Sequence, residues 1–149
     1  MAIKIHNKKA TFNFEVLDTF EGGLELTGFE TKSIRDGKMK LDGSFVISKG
    51  GELFLKNAEI SPYQANNIPK GFEAHRLIKI LVKKSDILKL TQKVEKERLS
   101  LIPLAVYPKA KRLKIEFAVA KGKKKSDKRE YIKKREDTID ILRAIKEER

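Results

Sequence analysis

Ser44-Phe45-Val46-Ile47-Ser48-Lys49-Gly50-Gly51-Glu52-Leu53-Phe54-Leu55-Lys56-Asn57 holds two apolar segments around a pair of glycines. Gly50 and Gly51 supply the positive φ that a primed two-residue turn demands, so residues 44–48 and 53–57 are predicted to form a β-hairpin. Toward the N-terminus, Phe12, Phe14 and Val16 alternate with Asn13 and Glu15, the period-two signature of a half-buried strand. Gly22-Gly23 then predicts a turn, with Leu24, Leu26 and Gly28 continuing the alternation on a second strand. Residues 30–35 are too few for periodicity to separate helix from loop, and Asp36-Gly37 marks a stop.

Beyond the hairpin, the polar stretch from Ile60-Ser61-Pro62-Tyr63 to about His75 contains Pro69 and Gly71 and is expected to be a long loop. Residues 77–82 form a short apolar run, expected to be a buried strand. Ser85 is placed to cap a helix in which Ile87, Leu90 and Val94 share one face. Residues 99–106 and 113–119 are two further strands joined by the basic turn Pro108-Lys109-Ala110-Lys111-Arg112. Many short strands with one clear helix favour a mainly β fold over a parallel α/β sheet. The expected architecture is a small OB-fold-like closed antiparallel barrel over residues 1–120, with one or two short helices and a basic C-terminal tail over residues 121–149.

The tail carries most of the charge. Of 149 residues, 34 are Lys or Arg and 21 are Asp or Glu, giving a net charge of +13. Residues 109–149 hold 16 of the cations against 8 acids, while the first 108 hold 18 against 13. Such an excess points to a polyanionic partner, and the densest run, Lys121 to Arg129, suits phosphates. In the tail, Ile132, Ile139, Leu142 and Ile145 would share one helical face with hardly any other apolar support. Alone in water this segment is expected to be disordered, and helical only against a partner.

Chemistry of other kinds finds little footing. With no cysteine, disulfides, thiolate metal sites and thiol catalysis are excluded. His6 and His75 lie apart with no metal-ligand spacing, and Glu21, Glu25 and Glu30 lack a second acid at a diagnostic distance. No glycine-rich phosphate loop or nucleophile elbow occurs. Most phenylalanines fall at strand positions, leaving Phe20, Phe72 and Tyr63 as stacking candidates. No apolar run approaches the roughly 18 residues of a membrane span. The residues alone lead to the expectation of a soluble, intracellular protein that binds nucleic acid, without cofactor, metal or enzymatic activity. The alternative is a general binder of structured RNA or a ribosome-associated OB-type protein.

Asn7-Lys8-Lys9-Ala10, Phe20-Glu21-Gly22-Gly23, the stretch Leu26-Thr27-Gly28-Phe29-Glu30-Thr31-Lys32-Ser33-Ile34-Arg35-Asp36-Gly37-Lys38 and Ile60-Ser61-Pro62-Tyr63 occur in this order. Pro103-Leu104-Ala105-Val106-Tyr107 and Ala120-Lys121-Gly122-Lys123-Lys124-Lys125-Ser126-Asp127-Lys128-Arg129-Glu130 follow. Together they closely resemble the SmpB family, the SsrA-binding proteins of bacterial trans-translation, over nearly the full chain. The resemblance implies an OB-like barrel that binds the tRNA-like domain of transfer-messenger RNA (tmRNA) and delivers it to stalled ribosomes. It also implies a tail that senses the empty mRNA channel as a helix.

The resemblance carries RNA contacts onto Asn7, Lys8, Glu21, Leu81, Lys83, Lys114, Lys121, Gly122, Lys123 and Lys124. It places Asp127, Lys128, Arg129, Lys133, Lys134 and Arg135 in the ribosome-facing tail. The implied partners are tmRNA and the ribosome, mainly its small-subunit RNA, with alanyl-tRNA synthetase and elongation factor Tu as further candidates. The chain departs from the family where Thr11 and Phe12 follow Ala10 in place of a basic residue and a histidine.

Overall fold

The computed structural model describes residues 4–64 and 66–123. The expectations for Lys124, for the tail residues Asp127, Lys128, Arg129, Lys133, Lys134 and Arg135, and for the tail's helix lie outside them. Among the described residues, nine strands and three helices follow in the order β1 (Ile5–His6), α1 (Ala10–Asn13), β2 (Phe14–Leu24), α2 (Gly28–Arg35), β3 (Met39–Lys40), β4 (Phe45–Lys49), β5 (Glu52–Lys56), β6 (Glu59–Ile60), β7 (Ile78–Leu81), α3 (Lys84–Glu97), β8 (Ser100–Lys109) and β9 (Arg112–Gly122). Every pairing is antiparallel.

The pairings run β8–β4–β5–β7–β2–β9 and return from β9 to β8, so six strands form a ring. The β4–β8 seam is the narrow one, with the single register pair Val46↔Leu101. β1 adds to the outer edge of β8, where Ile5 lies opposite Val106. A ring leaves few free strand edges, which is how a small antiparallel protein avoids edge-to-edge association. Inward-facing residues of its strands fill it: Leu53, Leu55, Ile80, Val106, Ile115 and Phe117 are all at most 1% exposed. Ile87 and Leu90 of α3 join the same core.

The hairpin forms as the sequence predicts, with β4 and β5 joined at Lys49↔Glu52 and φ of 61° and 77° at Gly50 and Gly51. The turn expected at Gly22-Gly23 does not exist. β2 runs straight through both glycines for 11 residues, kinked only by an irregularity between Val16 and Asp18. Gly22 is needed for close approach: a Cβ there would lie 2.8 Å from a Val82 methyl and 2.9 Å from an Ile80 methyl. Phe12 belongs to α1, not to the strand, and Gly28 opens α2 in place of a second strand.

α2 starts with a capping box. The Glu30 backbone N–H donates to Thr27 Oγ1 at 3.2 Å, and the Thr27 N–H donates to Glu30 Oε1 at 2.9 Å. α3 begins one residue before Ser85, at Lys84, and its N-cap Lys83 makes no side-chain cap. The long loop expected after Ile60 is present, since no strand or helix occurs between β6 and β7 among the described residues. β9 continues to Gly122, so Lys121 and Gly122 are strand residues paired with Glu15 and Phe14. No helix among the described residues is long and apolar enough to cross a membrane.

Candidate nucleic-acid interface

β2, β9 and β8 lie side by side, with β9 in the middle. Glu21 on β2 is opposite Glu116 on β9, while Lys114 lies between Gly23 on one side and Tyr107 of β8 on the other. Ile115 and Phe117 are fully buried, so Lys114 and Glu116 project from the outer surface. Tyr107 reaches diagonally over β9 and donates its hydroxyl to Oε2 of Glu21. Lys109 Nζ donates to the same carboxylate, at 3.1 Å to Oε1 and 3.3 Å to Oε2. From the far side, Lys4 Nζ stands 5.5 Å from the centre of the Tyr107 ring.

The electrostatics of this ladder follow from its hydrogen bonds. The Tyr107 hydroxyl, and then the Lys109 ammonium, favour the ionised carboxylate and hold Glu21 below the ordinary range. Tyr107 is displaced upward in turn, by burial first and by its bond to Glu21 second. With Lys109 61% and Glu21 37% exposed, the ion pair contributes little to folding stability. What it does is hold the Glu21 carboxylate in one orientation on a face that also carries Lys114 and Glu116.

A cleft of about 400 Å³ opens beside the ladder, between the end of β2, α2 and the β8–β9 turn. Leu81, 49% exposed, gives it an apolar wall, and Arg35, Lys111, Arg112 and Lys114 surround it with cations. The turn that carries Lys111 is a two-residue connection in which Ala110 and Lys111 both take positive φ, 50° and 66°. Arg35 Nη2 donates to the Lys111 carbonyl at 2.8 Å, tying α2 to that turn. Cations around an apolar wall match a nucleic-acid strand, whose phosphates take the cations and whose sugars and bases take the apolar surface. No group of three or more metal-ligating side chains is found among the described residues.

Glu21, Lys114 and Leu81 are thus brought together by adjacent strands. Lys83 lies next to them, lining a second cleft with Leu81, Lys79 and Lys84. Lys121 and Gly122 are at the opposite end of β9 from Lys114, on the order of 20 Å away along the strand, and Lys123 follows them. Asn7 is engaged inside the fold: its Nδ2 donates to the Pro103 carbonyl at 2.9 Å, where β8 is irregular. Lys8 is exposed and lines a separate cleft with Lys4, His6 and Lys40.

The stacking candidates are occupied. Phe20 packs on Phe117 with centroids 5.9 Å apart, and Phe72 and Tyr63 meet Phe29 edge-on at 5.3 Å and 6.3 Å. Sequence reasoning missed Tyr107, Lys109, Arg35, Lys111 and Arg112 as parts of this face. The signal for the β8–β9 group was the alternation continuing through the basic turn.

Barrel and face together define a nucleic-acid-binding β-barrel protein of the OB-like class. Comparison with known proteins narrows the class. The pattern of the family described as "SmpB protein" matches residues 4–147. An SsrA-binding protein of Trichormus variabilis is 45% identical over 140 residues, covering 94% of this chain and 90% of that protein. One of Trichodesmium erythraeum is 42% identical over 141 residues, covering 95% and 90%. A solved chain from the study "tmRNA-SmpB: a journey to the center of the bacterial ribosome" superposes with a TM-score of 0.67 at 36% identity, over 82% of this chain and 85% of that one. The chain belongs to the SmpB family, a family of RNA-binding proteins and not of enzymes.

Proposed function

We propose that this chain binds the tRNA-like domain of tmRNA and acts in trans-translation, bringing it to stalled ribosomes. The observation that carries this reading is the likeness, over most of both chains, to a protein solved in a tmRNA–SmpB ribosome study. The face built from Glu21, Leu81, Lys83 and Lys114, with the cationic cleft beside it, is the surface for the RNA. Lys114 and the cleft cations neutralise phosphates, and Glu21 accepts hydrogen bonds from base amino groups, which a phosphate cannot offer.

The basic residues Lys121, Lys123 and Lys124 extend RNA contact toward the tail. Asp127, Lys128, Arg129, Lys133, Lys134 and Arg135 face the ribosome, where the tail becomes helical in the empty mRNA channel. In this reading the protein works as a cytoplasmic monomer, and alanyl-tRNA synthetase and elongation factor Tu act on the same tmRNA.

The test is a competition gel shift with the tRNA-like domain of tmRNA, an elongator tRNA and a hairpin of equal length, across a salt series. A preference of tenfold or more, about 1.4 kcal/mol, that persists as salt rises supports shape-specific recognition by the barrel. Equal binding that fades together with salt means phosphate neutralisation alone, and the chain is then a general structured-RNA binder.

A further inference from the structure

We infer that Tyr107 and Lys109 are positioning residues for RNA recognition, acting through Glu21 by locking its carboxylate in one orientation and cancelling its charge. The inference rests on the proposed role of Glu21 and extends it to β8. A glutamate that faces RNA, here with Glu116 beside it on β9, has two handicaps. Its freely rotating side chain must be ordered on binding, and its negative charge opposes the approach of phosphates.

The structure removes both. Tyr107 donates to Oε2, and Lys109 Nζ bridges Oε1 and Oε2 at 3.1 and 3.3 Å. Two donors from β8 therefore fix a side chain rooted on β2, across the width of β9. A carboxylate has about four acceptor positions; these contacts engage three, leaving one on Oε1 for a donor from outside. Lys109 balances the carboxylate charge, so the pair approaches RNA as a near-neutral acceptor. Lys114, Glu116 and Lys4 complete the charged groups around it. Lys109 then differs in kind from a phosphate contact, because its ammonium is directed at Glu21.

The experiment uses the full chain and the RNA of the tRNA-like domain, with dissociation constants measured for Glu21→Ala, Tyr107→Phe, Lys109→Met and each β8 variant combined with Glu21→Ala. Tyr107→Phe removes one oxygen from the surface, and its thermal unfolding is followed alongside to confirm an intact fold. Tyr107→Phe and Lys109→Met are each expected to weaken binding about tenfold in the presence of Glu21 and to have no further effect once Glu21 is alanine. The slope of log affinity against log salt should be unchanged in Lys109→Met. A slope reduced by about 0.9 assigns Lys109 to a phosphate and overturns its positioning role. Losses that simply multiply with that of Glu21→Ala overturn the inference for both residues. If Glu21→Ala binds like the unsubstituted chain, the inference falls, while the preference for the tRNA-like domain, measured on the unsubstituted chain, stands or fails separately.

Discussion

Arg76 grips both carboxylate oxygens of Glu30, with Nε 2.8 Å from Oε2 and Nη2 2.7 Å from Oε1. Glu30 is 2% exposed and also accepts from the Thr27 N–H, while Arg76 Nη2 donates as well to the Glu25 carbonyl at 2.9 Å. One ion pair thus ties the long loop before β7 to the start of α2 and to the end of β2. Removing Arg76 leaves a buried carboxylate without its counter-charge. Arg76→Met should therefore cost roughly 3 kcal/mol, read as a lower urea midpoint with little change in slope.

The same pair sets an acid limit. Burial pushes Glu30 up, but the Arg76 guanidinium and the Thr27 N–H outweigh it and hold the carboxyl below the ordinary range. A lowered folded value means the stabilisation is present above the unfolded value of about 4.3 and disappears as pH falls through the folded one. The stability difference between the unsubstituted chain and Glu30→Gln should shrink between about pH 5 and about pH 2. A difference that stays constant over that interval contradicts the assignment.

Gly22 has no room for a side chain. In Gly22→Ala the new methyl would meet Val82 and Ile80 methyls at 2.8 and 2.9 Å and the Leu81 carbonyl at 3.2 Å. β7 must shift to admit it, at a cost of about 1–3 kcal/mol. Because β7 carries Leu81, RNA affinity should fall along with thermal stability. Gly50→Ala, in open space but at φ +61°, should lose only about 1 kcal/mol and leave RNA binding alone.

Glu21 offers a direct spectroscopic check. Followed by carboxyl-detected NMR in the free protein, it should titrate below the ordinary carboxylate range, held there by Tyr107 and Lys109. In Tyr107→Phe the midpoint should move up. No movement would mean that the Tyr107–Glu21 bond is absent in solution.

Barrel and tail should separate by mutation. Lys114→Ala is expected to weaken binding to the tRNA-like domain and to lower the salt slope by about 0.9. Lys128→Ala combined with Arg129→Ala should spare that binding and impair tagging on ribosomes. A large loss of tmRNA affinity in the double variant would contradict the division.

What was legible in the sequence was whatever local pattern decides. Gly50-Gly51 specified the β4–β5 hairpin because a primed turn tolerates little else, alternation marked the start of β2, and a short apolar run marked β7. What misled was equally local in form but tertiary in cause. Gly22-Gly23 has the composition of a turn, yet the demand on it comes from β7, sixty residues away in the chain. α2 was too short for periodicity, but Thr27 and Glu30 spelled its capping box, and Ser85 was passed over as a cap because α3 opens a residue earlier.

The site divides along the same line. Glu21, Leu81 and Lys114 were named from a family resemblance, and the register of β2, β7 and β9 brings them together. Tyr107 and Lys109 were not assigned to the site, since their meaning depends on a contact across an intervening strand that no sequence spacing expresses. Asn7 shows the converse: its amide is taken up by Pro103, a partner 96 positions away.

The far end of β9 has a mechanical consequence. Gly122 pairs with Phe14, and the Lys123 N–H donates to the Asn13 carbonyl at 3.0 Å. The last described residues are thus anchored to the same strand pair that displays Glu21 and Lys114. The origin of the following segment is held at a set offset from the proposed RNA face by a stiff beam, where a loose linker would let it wander. Each residue inserted into or deleted from that beam would move the origin by about 3.4 Å, so β9 sets the spacing between the proposed RNA face and the point where the described residues end.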